Sequence, residues 1–375
     1  MLILTVLSAS VVLAEWLVRK TFLRHLGTAL VVIIVVAVWA NLGLIPSASQ
    51  GSVVYDGIFA YLAPLSIFYL LLDVNLASIR RAGAPMLLLF LLGSLATAVG
   101  VVVGMQVIDG PAQFGEFYPA ICGMFTGTYT GGSVNYNAIA IHYGMMREGA
   151  LYAGMTAVDN IITAVWMVIT LAVPLLFRRV TVNRRITPEA VEEVERSEES
   201  VSVMSLGILL AIGFGSLYLA EVLARLLAEW GYAIPAILVL TTIALALAQI
   251  PALHRLAGGQ VLGLFFVYLF LAVIGAYCEL AALGQIGDLA WKLLLMVTIT
   301  VAVHGLIVFG VARAFRMDMD VAAVASQANI GGSSSALALA KSLDRMDLYL
   351  PGILVGALGT GLGTYLGFLV AGWVS

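Results

Sequence analysis

The stretch MLLLFLLGSLATAVGVVVGM, Met86 to Met105, holds no charged side chain and no proline. An α-helix of about 20 such residues crosses the hydrocarbon core of a bilayer. Comparable segments are predicted over 2–18, 26–46, 53–73, 85–107, 150–174, 203–228, 232–250, 259–279, 289–312 and 348–373. In lipid every backbone polar group must be satisfied inside the protein, and apolar runs of this length select helices as the means. Composition agrees: 62% of residues are hydrophobic and 10% charged, against about 25% charged in a globular chain. The chain is therefore expected to be an all-α polytopic membrane protein with the lipid bilayer as its surroundings. A net charge of −3 without a long basic run excludes nucleic acid as a partner. The first segment has no basic residue ahead of it, whereas Arg19, Lys20 and Arg24 follow it. That is the pattern of a first transmembrane helix with its N-terminus outside, not of a cleaved signal. Cys122 and Cys278 lie in apolar runs and read as small buried residues, not as a disulfide framework or metal cluster.

Two apolar regions are cut near their middles. Residues 117–146 contain TGTYTGGSVNYNAIA (Thr126 to Ala140), and 320–342 contain SQANIGGSSSALALA (Ser326 to Ala340). The glycine pairs Gly131–Gly132 and Gly331–Gly332 stand two hundred residues apart, and the same shift carries Thr126 onto Ser326 and Ser133 onto Ser333. The order of elements repeats too, giving a first repeat over 1–177, a cytoplasmic linker over 178–200 and a second repeat over 201–375. The transport core is expected in 85–177 and 289–375. Basic residues decide the topology. If 117–146 crossed once, Arg178, Arg179, Arg184 and Arg185 would fall outside. If it enters and returns, these join Arg19, Arg80, Arg81, His254, Arg255, Arg313 and Arg316 on the cytoplasmic side. Five crossings per half then invert the second repeat relative to the first and leave both termini outside. Each glycine pair is expected at the tip of a helix–turn–helix hairpin, or at the break of a discontinuous helix, deep in the membrane. Inverted repeats with broken helices mark secondary transporters. Irregular backbone is tolerated at that depth only where protein or a water-filled cavity covers it.

The polar residues beside the tips suit a cation. Thr126, Thr128, Thr130, Ser133, Asn135 and Asn137 in the first region, and Gln327, Asn329, Ser333, Ser334 and Ser335 in the second, offer neutral oxygens. Helix C-termini add carbonyls, and such a set fits a hard ion such as Na+. The plainer reading is that they cap helix ends and hold helices together. The next helix, LYAGMTAVDNIITAVWMV, carries Thr156, Asp159, Asn160 and Thr163 along one face. Asp159 lies near mid-bilayer, where a carboxylate costs about 2.5–3.5 kcal/mol on insertion scales and a functional role is the default. Its counterpart, PGILVGALGTGLGTYLG, has Gly356, Gly359, Thr360 and Gly363 there and no carboxylate. Small residues at that spacing admit a close backbone, here a hairpin arm. His304, alone in VTITVAVHGLIVFG, reads as hydrogen-bonded structure, and Trp16, Trp230, Trp291 and Trp373 as interfacial anchors.

Together TGTYTGGSVNYNAIA and ANIGGSSSALALAKS resemble the YjcL-type membrane proteins of bacteria and plastids, over nearly the whole chain. That family is grouped with the cation:proton antiporter and anion transporter superfamily, and the layout is more distantly similar to sodium–glutamate and sodium–citrate symporters. The resemblance implies a scaffold, a mobile transport domain and a homodimer. Citrate-type carriers hold carboxylates with arginine near the hairpin; here the nearest are Arg147 and Arg345, at the hairpin ends. Intramembrane enzymes are disfavoured, since neither Gly-x-Ser-Gly, Gly-x-Gly-Asp nor His-Glu-x-x-His occurs. The expected function is a Na+- or H+-coupled carrier of a small organic solute in the bacterial inner membrane, working by an elevator-like mechanism. A monovalent cation/proton antiporter is the alternative, with Asp159–Asn160 resembling the paired residues of that superfamily. No cofactor is expected and no metal beyond a Na+ site.

Overall fold

The computed structural model describes the chain except residues 22, 24–26, 48–51, 73, 75, 178–200, 233, 254–255 and 279, together with the side chains of 77–78, 175–177 and 280–286. The linker 178–200 and its arginines, and Arg24, Asp73, His254, Arg255 and Glu279, thus lie outside the described residues. Helices build the rest: α1 Leu2–Lys20, α2 Gly27–Asn41, α3 Val53–Leu71, α4 Ala84–Val107, α5 Tyr118–Gly131, α6 Ser133–His142, α7 Gly149–Phe177, α8 Val203–Glu229, α9 Ala236–Leu247, α10 Gly259–Tyr277, α11 Leu280–Ala314, α12 Met319–Ser342 and α13 Tyr349–Val374. Among the described residues eight helices are long and apolar enough to cross a membrane. The chain is an all-α polytopic membrane protein.

Predicted spans 26–46 and 232–250 are realised as the shorter α2 and α9. Gly43, at φ +74°, turns the chain after α2, and Pro235 and Pro251 bracket α9. Within α3 a π-turn, Ile58–Leu62, precedes Pro64, and the Ala63 N–H reaches back to the Ile58 carbonyl. Proline cannot donate the ordinary bond one residue later, which is a recognised cause of such a turn.

Both interrupted regions are hairpins. The first breaks at Gly132, φ +102°, a left-handed conformation in which glycine costs least. Beyond it α6 runs back along α5, setting Asn135 against Gly127 and Ile139 against Gly123. In α12 the break is Gly332, φ +74°. Val324 before it and Ala336 after it both pack on Gly352, so the two arms lie side by side. The hairpins enter from opposite ends. The first is based where α11 begins, with Lys292 donating to Gln113 Oε1 and Gly149 against the Tyr277–Cys278 backbone. The second is based beyond the end of α11. Their tips meet: a Cβ on Gly332 would stand 3.6 Å from the Gly131 carbonyl oxygen.

α13 lies under both hairpins. Its glycines face, in order, Val324 and Ala336 (from Gly352), Ser333 (Gly356), Thr130 and Gly131 (Gly359), Asn135 and Gly127 (Gly363), and Gly123 and Ile139 (Gly367). α4 and α11, the fourth long helices of their halves, cross antiparallel, with Gly100 on Thr300 and Gly104 on Met296. In the outer layer α2 packs on α10 as α9 does on α3, and α1 on α2 as α8 does on α9. Apolar burial gains little between helices already in lipid, so close packing by small residues carries the association.

A Cβ at Gly367 would sit 2.7 Å from the Gly123 carbonyl oxygen, whereas one at Gly207 meets nothing within 4 Å. Gly367→Ala is expected to cost about 1–3 kcal/mol, the usual price of overpacking. Gly207→Ala should be neutral or slightly stabilising. Unfolding midpoints of the two purified variants in detergent check this.

Candidate functional site

The break in hairpin one leaves the last four carbonyls of α5 without helical partners. Each has found a donor. Thr128 O accepts from Gly132 N at 2.7 Å. Tyr129 O accepts from Thr97 Oγ1 of α4 at 3.0 Å. Thr130 O accepts from Asn329 Nδ2 of hairpin two at 3.3 Å, and Gly131 O from Thr360 Oγ1 of α13 at 3.2 Å. Asn135, on the returning arm, donates to Gly359 O at 3.1 Å and accepts from Thr364 at 2.8 Å. The tip is thus fixed to three other elements.

A buried network lies behind Thr97. Its single hydroxyl proton goes to Tyr129 O, so His304 Nδ1, 3.1 Å from Thr97 Oγ1 and 3.0 Å from Gly93 O, must carry a proton. In the neutral ring Nε2 then accepts from Ser326 Oγ at 2.9 Å, and Ser326 accepts from Trp166 Nε1 at 3.0 Å. The lone histidine is hydrogen-bonded structure that joins α4, α7, α11 and α12. One turn further along α7, Thr170 donates to Gln327 Oε1 at 3.0 Å. α7 starts at the base of hairpin one, and hairpin two is based at the opposite end, so α7 runs antiparallel to the incoming arm of hairpin two. Asp159 stands two turns before Trp166, and Ser333 two turns after Ser326, so the register brings Asp159 level with the second tip.

Asp159 is half-buried, but its Oδ1 is fully enclosed and makes no hydrogen bond. The Tyr129 hydroxyl faces the carboxyl without achieving hydrogen-bond geometry. The Tyr136 hydroxyl faces Thr156 in the same way. The ring of Tyr136 meets Phe125 and Tyr152 edge-on, and the Tyr152 hydroxyl is committed to Asn137 Oδ1.

The predicted residues therefore separate. Thr126, Thr130 and Ser335 hydroxyls turn back onto carbonyls of their own helices. Asn135, Asn329 and Thr360 cap or brace the first tip, Gln327 braces α7, and Asn137 holds Tyr152. Thr128 is buried beside the break. Thr156, which donates to Tyr152 O, and the half-buried Asn160 flank Asp159 on α7. Ser133 and Ser334 are exposed at their tips, and Ser333 is half-buried against Gly356. Ser94, Thr97, Tyr129, Tyr136, Tyr152 and Thr364 were not singled out by sequence, because each sits in an apolar run or reads as an ordinary membrane aromatic.

A polytopic helical membrane protein, with two broken elements converging from opposite ends beside a half-buried carboxylate, is the class this geometry defines. Over residues 2–375 the chain matches the family described as "Protein of unknown function (DUF819)", and it belongs to that family. It is similar to a Bacillus subtilis (strain 168) protein described as "Uncharacterized membrane protein YjcL", 28% identical over 364 residues, 90% of this chain and 87% of that one.

With Cys122 and Cys278 replaced by alanine, Ser133→Cys and Ser334→Cys are expected to react with a water-soluble thiol reagent in membranes, and Ser326→Cys, fully buried, to stay unreactive. Mass shift of the purified chain reads the outcome. Unreactive tips would place them against lipid, not water.

Proposed function

We propose that the protein is a secondary active transporter, a Na+- or H+-coupled carrier of a small organic solute. The observation that carries this reading is the meeting of two hairpin tips, entered from opposite ends, beside Asp159. Broken helices at such a crossing supply polar groups at mid-depth that continuous helices do not. Antiparallel α4 and α11, and the paired packing of the outer helices, support two inverted repeats around that point. Spans 26–73 and 232–279, built from α2, α3, α9 and α10, are the proposed scaffold and dimer surface, and the hairpins with α4, α7, α11 and α13 are the proposed elevator. Both termini face outward and the membrane is the bacterial inner membrane in this reading. The protein has no enzymatic role in it and needs no cofactor.

The division of polar groups suggests the division of labour. The exposed serines at the tips meet the solute, and Asp159 takes the coupling cation. A bound cation neutralises the carboxylate and offsets the cost of holding its charge away from water. Cation/proton antiport is the second reading, favoured by the same enclosed Asp159 oxygen, since one carboxylate that takes either ion suffices for exchange.

Reconstitution into vesicles under an imposed sodium or proton gradient tests both. Solute uptake driven by the gradient marks symport, and cation-dependent collapse of a proton gradient in the absence of solute marks antiport. Asp159→Asn should reduce either signal to that of empty vesicles while insertion and gel-filtration behaviour stay normal. Full gradient-driven flux in this variant would remove Asp159 from the mechanism.

A further inference from the structure

The four carbonyls at the first tip each already accept a hydrogen bond. The oxygens that lack partners lie one turn away. Tyr129 stands on the incoming arm of hairpin one and Tyr136 on the returning arm, 0% and 4% exposed. Their hydroxyls and Asp159 Oδ1 are enclosed and without hydrogen bonds. This is unusual within the molecule itself: Tyr152, Tyr69 and Tyr55, equally buried, give their hydroxyls to Asn137, Leu209 O and Pro46 O. Two unpaired tyrosine hydroxyls beside a carboxylate oxygen that is itself unpaired, in a protein that satisfies Tyr152, Tyr69 and Tyr55, bring polar atoms together that no side chain pairs.

We propose that Asp159, Tyr129, Tyr136 and Thr156 form the ligand shell of a single dehydrated alkali cation, with Na+ preferred. This rests on the carrier reading and specifies its coupling site. The ligands are all oxygens, which suits a hard ion. One carboxylate neutralises one charge. The Tyr129 hydroxyl faces the carboxyl, and Tyr136 and Tyr152 stand close enough to feel its charge. Neutral hydroxyls complete the shell, and one negative charge matches a monovalent ion better than a divalent one. The Thr156 hydroxyl spends its proton on Tyr152 O, at 2.8 Å, and keeps its lone pairs for the ion. Because the two tyrosines come from opposite arms of hairpin one and the carboxylate from α7, the ion draws three strands of chain together. Binding therefore fixes the first tip relative to α7.

The test uses the purified full chain in detergent at constant ionic strength, with NaCl, LiCl or KCl replacing choline chloride. Wild type should show a saturable sodium-dependent rise in unfolding midpoint, larger than that with potassium. Asp159→Asn should abolish the rise. Tyr129→Phe and Tyr136→Phe should each raise the half-saturating sodium concentration about tenfold or more, one missing charge-assisted ligand being worth about that much. Tyr69→Phe, the same chemical change at a hydroxyl committed to Leu209 O, should leave that concentration unchanged. If a site variant does not fold, the sodium-induced change in tyrosine ultraviolet absorbance of wild type reports the same ligation. Sodium affinity unaffected by either tyrosine substitution overturns the shell, as does a wild type that shows neither sodium response. In both cases Asp159-dependent transport in vesicles would leave the carrier reading intact. Tyrosine-dependent sodium binding without any coupled flux would establish the site and sink the carrier.

Discussion

A backbone broken inside a membrane leaves carbonyls that water cannot reach, and the capping of four of them at the first tip organises the centre of this molecule. Three of the four donors are side chains from distant elements: Thr97 from α4, Asn329 from hairpin two and Thr360 from α13. The tip cannot move away from these helices without exposing polar backbone. Hairpin one, hairpin two, α4 and α13 are thereby joined into a unit, and His304 extends it to α7 and α11 through Ser326 and Trp166. Removal of a single donor would leave a buried carbonyl unsatisfied, at a cost of about 1–3 kcal/mol.

The two halves have divided what the unit needs. The final helix of the second half gives up side chains: glycine at Gly352, Gly356, Gly359, Gly363 and Gly367 lets both hairpins reach its backbone. The final helix of the first half keeps them, and carries Thr156, Asp159 and Asn160 where a glycine stripe would otherwise run. One helix therefore sets the distance between the hairpins, and the other supplies the charge beside them. The base of the second hairpin has a separate tie. Arg345 holds Asp318, Asp320 and Asp347 at 2.7–2.8 Å, joining the chain before the incoming arm to the chain after the outgoing one. The three carboxylates keep its guanidinium charged well beyond the ordinary arginine range.

Much of this was legible in the sequence. The paired glycines marked both breaks because a left-handed turn favours that residue, and Gly132 and Gly332 do adopt positive φ. Asp159 stood out because a carboxylate in an apolar helix needs a reason. The four tryptophans read as interfacial anchors are exposed on the helix bundle. What stayed hidden depends on three-dimensional pairing. Thr97 and Ser94 are two hydroxyls in an apolar helix, and nothing local tells that one reaches the carbonyl of Tyr129 and the other the amide of Asn329. Thr126 and Thr130 send their protons back to carbonyls of their own helix, a choice made by rotamer and not by residue type. Tyr129 and Tyr136 resembled membrane aromatics because their importance lies in hydroxyls that lack partners, which a sequence does not display.

The origin of the carbonyl donors has a consequence for how the protein is made. Thr97 emerges from the ribosome before hairpin one, but Asn329 and Thr360 follow the tip by about 200 residues, or about 10–40 s at the usual rates of synthesis. During that interval the growing chain contains a hairpin whose carbonyls at Thr130 and Gly131 have no permanent donors. Until the second half is made, those two carbonyls depend on other donors. α13, made long after the first hairpin, supplies one of the donors that cap its tip.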